Sequence, residues 1–182
     1  EDSLGAQSSA STSAQAVQEA TAVVATVVNT SRTTIPDLLA EGGESSHAEA
    51  MSLIAACASM LAGVSSDERT SATDARSLLL ALAWNATALS ATTTNIELRS
   101  AALQLITAEP SQLTNAACRS SVLLAKDIAN QSRDLGVISD AARGCLVTTL
   151  SSTIEGGVVV ATDDDIDSTG SADEIVAVLQ QV

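Results

Sequence analysis

The fold class predicted for this chain is all-α: a layered bundle of six to seven short antiparallel helices. Three observations predict it. Apolar residues recur at three- and four-residue spacing over most of the length, short turn signals separate these stretches, and Ala, Ser and Thr fill the positions between. With 182 residues the chain suits one domain. Its organisation reads as a disordered N-terminal segment (1–13), a helical bundle (14–155), and a linker, acidic loop and terminal helix (156–182). The apolar fraction is 46%, yet there is no Phe, no Tyr and one Trp. The core must therefore be built from Leu, Val, Ile and Ala, which bury little area per residue.

Residues 14–29 place Val17, Ala20, Val24, Val27 and Val28 on a helical stripe, although their β-branched content leaves a strand as the alternative. Pro36 suits the first turn of a short helix over 36–40, stopped by Gly42 and Gly43. Ser46 and Glu49 form a capping box for a helix over 47–61, with Leu53, Cys57, Met60 and Leu61 buried and Gly63 as its end. After a polar loop, residues 72–89 read as a strong helix through Ala75, Leu78, Leu79, Leu82 and Leu89. Trp84, the one large ring, is expected to plug a gap between helices or to lie at a domain contact.

Thr94 and Glu97 make a second capping box for a helix to residue 107 through Leu98, Ala101, Ala102, Leu105 and Ile106. Pro110 is expected to start the next helix, which runs to 130 through Leu113, Ala117, Leu124 and Ile128. Ser139 or Asp140 caps another, carrying Ala142, Cys145, Leu146 and Leu150. Gly156 and Gly157 read as its stop, and Val158 to Ala161 as a short strand or linker. An acidic, turn-like stretch and a helix over 173–181 complete the chain.

The net charge of −14 arises from 22 acidic and 8 basic residues. Phosphate backbones reward Lys and Arg, so nucleic acid is excluded as a partner class. Anionic membranes are disfavoured too, and the natural counter-ions are Ca²⁺ or basic protein patches. No apolar run approaches the ~20 residues of a membrane span, so no insertion by these residues is expected. A start at Glu1 is expected of a processed chain or of a piece of a larger protein.

Cys57, Cys118 and Cys145 include no C-x-x-C pair, which argues against zinc. One bridge with a leftover thiol fits a secreted protein, and three buried thiols fit a cytosolic one. The favoured bridge is Cys118–Cys145, with Cys57–Cys118 as its rival. Asn29, Asn85 and Asn130 each head an Asn-X-Ser/Thr glycosylation sequon.

The block from Arg76 to Ile128 combines R-S-L-L-L-A-L, A-L-Q-L-I-T-A-E-P-S-Q-L-T and S-S-V-L-L-A-K-D-I. It resembles the helical ectodomain region of polycystin-type and egg-jelly-receptor proteins, in which an Ala/Leu-rich helix passes through a Thr-x-x-Pro-x-x-Leu-Ser/Thr hinge into a second helix. The matching hinge residues are Thr107, Pro110, Leu113 and Thr114. The resemblance covers a third to a half of the chain. It implies a place in a large extracellular ectodomain at a cell or ciliary surface, such as that of an algal ciliary protein. The His-Leu-Ser/Thr cleavage triplet of self-cleaving members is missing, since Ala48 follows the lone His47, so no autoproteolysis is carried over.

Asp163, Asp165, Asp167 and Glu174 stand at loop positions one, three, five and twelve of an EF-hand, where their oxygens could converge on Ca²⁺. Position six is Ser168 where the turn wants Gly, and Ser171 with Glu174 also reads as a plain capping box. His47, beside Glu44 and Glu49 in a first helical turn, is the only imidazole available to nucleophilic machinery, and a solvated face accounts for it. The acidic pairs lie in polar loops with nothing apolar to raise a pKa. No phosphate-binding glycine loop is present. The function expected is a non-catalytic structural or interaction segment of a large extracellular, membrane-associated glycoprotein, with other protein chains or domains as partners. A small secreted helical inhibitor or adhesion module is the alternative.

Overall fold

In a computed structural model of the chain, the structure describes residues 3–64, 69–86, 89–136, 138–160 and 180. The described residues form an all-α layered bundle: α1 (Ser3–Arg32), α2 (Thr34–Glu41), α3 (Glu44–Met60), α4 (Arg69–Asn85), α5 (Thr93–Ile106), α6 (Asn115–Leu135) and α7 (Asp140–Val160). Single 3₁₀ turns follow α3 at Leu61–Gly63 and α5 at Pro110–Gln112. Helix α5 is the centre, packing against α3 and α4 on one side and α6 and α7 on the other. Helices α1 and α2 close the α3/α4 side.

Small residues make this packing possible. Ala50, Ala58, Ala72, Ala102, Ala125 and Ala142 are fully buried among Ile54, Leu79, Leu103, Ile106 and Ile128. With only a methyl group at these positions, helix axes approach closely and no ring is needed to fill the gaps. Hydroxyls fit the same helices because they bond back to their own backbone. Ser100 donates to the Ile96 carbonyl, Ser121 to Ala117 and Ser132 to Ile128, all four residues upstream.

Several boundaries differ from expectation for local reasons. The N-terminal segment expected to be disordered is helical from Ser3, because extending an anchored helix costs far less than nucleating one. Helix α3 begins at Glu44, without the Ser46–Glu49 box. Gly42 and Gly43 take φ of 66° and 110°, turning the chain so sharply that the helix starts at once. Ser46 instead donates to Glu41. Helix α5 is capped by Thr92, whose hydroxyl accepts from the Asn95 amide at 3.2 Å, so the true cap lies two residues before Thr94.

Pro110 opens only the 3₁₀ turn. Leu113 is then extended, and Thr114 caps α6 by accepting from the Ala117 amide at 3.0 Å. Ser139 caps α7 as expected, accepting from Ala142. Gly156 and Gly157 do not stop that helix, which continues to Val160 in place of the expected strand or linker. A Cβ on Gly156 would sit 3.0 Å from the Pro110 carbonyl oxygen and 3.3 Å from Cys118 Sγ. This glycine marks a close approach, not a terminus. Met60, expected in the core, is exposed because it lies off the buried arc of α3, and Val17 is exposed because residues 15–19 of α1 all lie before the first buried residue, Ala20.

Candidate functional site

Two buried arginines hold α5 to its neighbours. Arg76 of α4 is wholly buried; its Nε donates to Gln112 Oε1 at 2.9 Å, and one Nη donates to the carbonyls of Leu105 (3.0 Å) and Ile106 (2.7 Å). Those carbonyls end α5, that of Leu105 also accepting from the Ala108 amide at 3.4 Å, so the guanidinium meets the negative end of the helix dipole. Burial lowers its pKa, and the charge of Glu109 partly opposes that shift. Arg99 of α5 is 2% exposed and donates to Asp127 at 2.8 Å and to Gln131 at 2.6 Å on α6. Both arginines stand in phase with the apolar stripes of their helices, and that phase was the signal available in the sequence.

Beyond these anchors, α4 and α6 leave space between them. Arg76, midway along α4, is tied to Gln112 in the turn before α6, which holds the two helices side by side. Ser77, Ala81, Ala116, Ala117 and Ser120 are too small to fill the space between them. A groove of about 450 Å³ results, completed by Leu80, Trp84, Asn85, Thr114 and Leu123. Trp84 is 44% exposed and Leu123 39%, so the expectation that Trp84 plugs the interior does not hold. The Leu123–Leu124 pair shows why: Leu124 points into the core and Leu123, 100° round the helix, is turned out to the groove. The lining is apolar, hydroxyl and amide, with no ionisable side chain. Such a surface can hold an apolar side chain; it offers no general acid or base.

The remaining sequence candidates lie apart from this groove, except Asn85. Asn29 is exposed on α1, Asn85 is exposed at the groove edge, and Asn130 is half-buried on α6. His47 is half-buried, with Nε2 3.2 Å from the Leu39 carbonyl, joining α2 to α3. Glu44 accepts from Ser90 and from Asn95 Nδ2, fastening the start of α3 to α5. Asp163, Asp165, Asp167 and Glu174 lie outside the described residues, and no group of three or more metal-ligating side chains occurs among those described. No described helix is long and apolar enough to cross a membrane.

The expected Cys118–Cys145 bridge is absent, and so is the Cys57–Cys118 alternative: all three cysteines are free thiols. Antiparallel packing of α6 on α7 sets Cys118 against Gly156. Cys145 lies eleven residues back along α7, about 16 Å at 1.5 Å per residue, far beyond disulfide reach. Burial raises the pKa of each thiol, as expected of packed sulfhydryls rather than reactive ones.

The hinge residues Thr107, Pro110, Leu113 and Thr114 each have a local task. Thr107 is buried and back-bonds to Leu103, Pro110 opens the 3₁₀ turn, Leu113 is buried, and Thr114 caps α6. Comparison with protein-family models, with curated proteins and with solved structures returns no match for this chain.

Proposed function

We propose that this chain is a non-catalytic structural and interaction segment of a larger extracellular, membrane-associated glycoprotein of the polycystin and egg-jelly-receptor kind. It packs through the α4–α6 groove against a neighbouring domain or partner chain. The observation that carries the interaction part is the groove itself: an open apolar trough with Trp84 and Leu123 half-exposed on its walls and no ionisable group in its lining. Partly exposed Trp beside small residues is the composition of interface anchors. The extracellular part rests on the hinge resemblance and on the exposed sequon asparagines Asn29 and Asn85. A sugar on Asn85 and a partner in the groove exclude each other, so Asn29 is the expected site of decoration.

A photo-cross-linking residue at position 84, in the longest natural chain that contains this segment, tests the interaction. Cross-links to another domain or chain are expected, and their absence overturns the reading. Intact mass of the secreted protein before and after glycosidase tests the compartment. Loss of a glycan mass mapping to Asn29 is expected, and an undecorated secreted chain overturns that part.

A further inference from the structure

We propose that the occupant of the α4–α6 groove is an acidic amphipathic helix supplied by a neighbouring domain or partner chain. The inference rests on the groove being a docking surface and adds what kind of segment it takes. Backbone chemistry, length and charge each narrow the choice.

Backbone chemistry selects a helix. The walls are α4 and α6, whose peptide groups bond along their own helices and present no row of N–H and C=O groups for an extended segment to pair with. An extended segment in this apolar trough would leave its own backbone unpaired, whereas a helix bonds within itself. Length agrees. The lining runs from Ser77 to Asn85 on one wall and from Thr114 to Leu123 on the other, about 12–14 Å at 1.5 Å per residue. One set of helical anchors at i, i+4 and i+7 spans about 10.5 Å and fits that length. Such anchors would cover the exposed faces of Trp84 and Leu123.

Charge sets the sign of the flanks. The chain has 8 basic residues, of which Arg76 and Arg99 are buried. Three of the others stand on one line of α6, where Arg119, Lys126 and Arg133 recur every seven residues. Arg119 and Lys126 lie one turn to either side of Leu123, on the solvent side of the groove. Neither is ion-paired among the described residues. The two carboxylates of α6 are engaged: Asp127 holds Arg99 at 2.8 Å, and Asp134 lies 3.9 Å from Arg133. The α4 wall contributes Asp74, one turn before Ser77. A chain of net charge −14 repels acidic segments over most of its surface, and this basic rim is where the repulsion is reversed. Carboxylates at i and i+7 of the visiting helix, beside its apolar anchors, match the interval from Arg119 to Lys126. A second copy of the chain is disfavoured, because it brings the same net charge of −14.

Trp84 is the chain's only tryptophan, so its emission reports the groove directly. The probes are two helical peptides without aromatic residues, with Leu at the same i, i+4, i+7 and i+11 positions and either Glu or Lys on the flanks. The Glu peptide is expected to protect Trp84 from acrylamide at a concentration about fivefold below that needed by the Lys peptide, against the net charge of the chain. Arg119→Glu with Lys126→Glu should reverse that order. Arg32→Glu with Arg143→Glu makes the same change in net charge at exposed positions of α1 and α7, and should keep it. Helical circular dichroism should stay unchanged, because none of these four side chains is in the core. A Lys peptide that protects better in the unaltered chain, an order indifferent to Arg119 and Lys126, or no protection by either peptide overturns the proposal. Each of these leaves the docking reading to the cross-link at position 84 in the natural chain. Cross-links there that join isotopically heavy and light copies overturn the acidic helix in favour of self-association.

Discussion

The two arginine joints of α5 solve one problem in opposite ways. At the Pro110 end, Arg76 hydrogen-bonds only to neutral acceptors, two helix-terminal carbonyls and an amide, in a site closed to solvent, and Gly156 packs against the adjoining Pro110 carbonyl. At the α5–α6 seam, Arg99 meets the Asp127 carboxylate, whose side chain is 39% exposed, and the half-buried Gln131. The first joint is dry, with dipoles as its direct partners and the Glu109 charge acting without an ion pair; the second is wet and ion-paired. A buried cation needs either kind of partner. The difference lies in what is left behind when the arginine is removed.

The largest effect is therefore expected at the dry joint. Arg76→Ala strands acceptors that water cannot easily reach and should cost about 3 kcal/mol, a midpoint loss of roughly 6–12 °C for a chain of this size. Thermal unfolding measures it. Arg99→Ala should cost about 1–2 kcal/mol, since Asp127 and Gln131 can rehydrate. Its penalty should shrink in 1 M salt, whereas that of Arg76→Ala should not. Equal penalties with equal salt dependence would dissolve the distinction between the joints.

Two glycines of α7 sharpen it. Gly156→Ala forces a Cβ against the Pro110 carbonyl and should destabilise by about 1 kcal/mol, overpacking outweighing the gain in helix propensity. Gly144 has open space around it. Gly144→Ala should stabilise by about 0.5–1 kcal/mol, which denaturant titration can resolve. The smallest effect concerns the thiols. A pKa raised in the fold means that the unfolded chain loses its proton first as the solution becomes alkaline. Stability should thus be full below the ordinary thiol range and decline as pH rises through it, and Cys118→Ala should flatten that decline. Thiol labelling of the native protein should reach half-buried Cys145 before Cys57 or Cys118.

Helix type and number were legible because Leu and Ile spacing survives any filler. The Ser139 cap was legible for the same local reason that the Ser46 and Thr94 boxes misled: a capping box specifies a local hydrogen-bond pattern, and Gly42–Gly43 and Thr92 set the helix starts first. Gly156 could not be read as a packing residue, since its neighbour Pro110 is far away in sequence. Neither could the groove. It exists because Ser77, Ala81, Ala116 and Ser120 face one another across two helices, and a pattern of small residues says nothing about which other small residues lie opposite. The Cys118–Cys145 expectation failed because membership of adjacent helices does not specify the same level along them.

The back-bonded hydroxyls have a consequence for how such a protein changes over time. Exchanging Ser100, Ser121 or Ser132 for Ala removes a donor whose acceptor carbonyl still keeps its helical amide, so nothing is orphaned. Alanine, serine and threonine thus become nearly interchangeable over much of the interior. The sequence is free to drift widely while the backbone stays still, and relatives of this architecture can share a shape long after they cease to share letters.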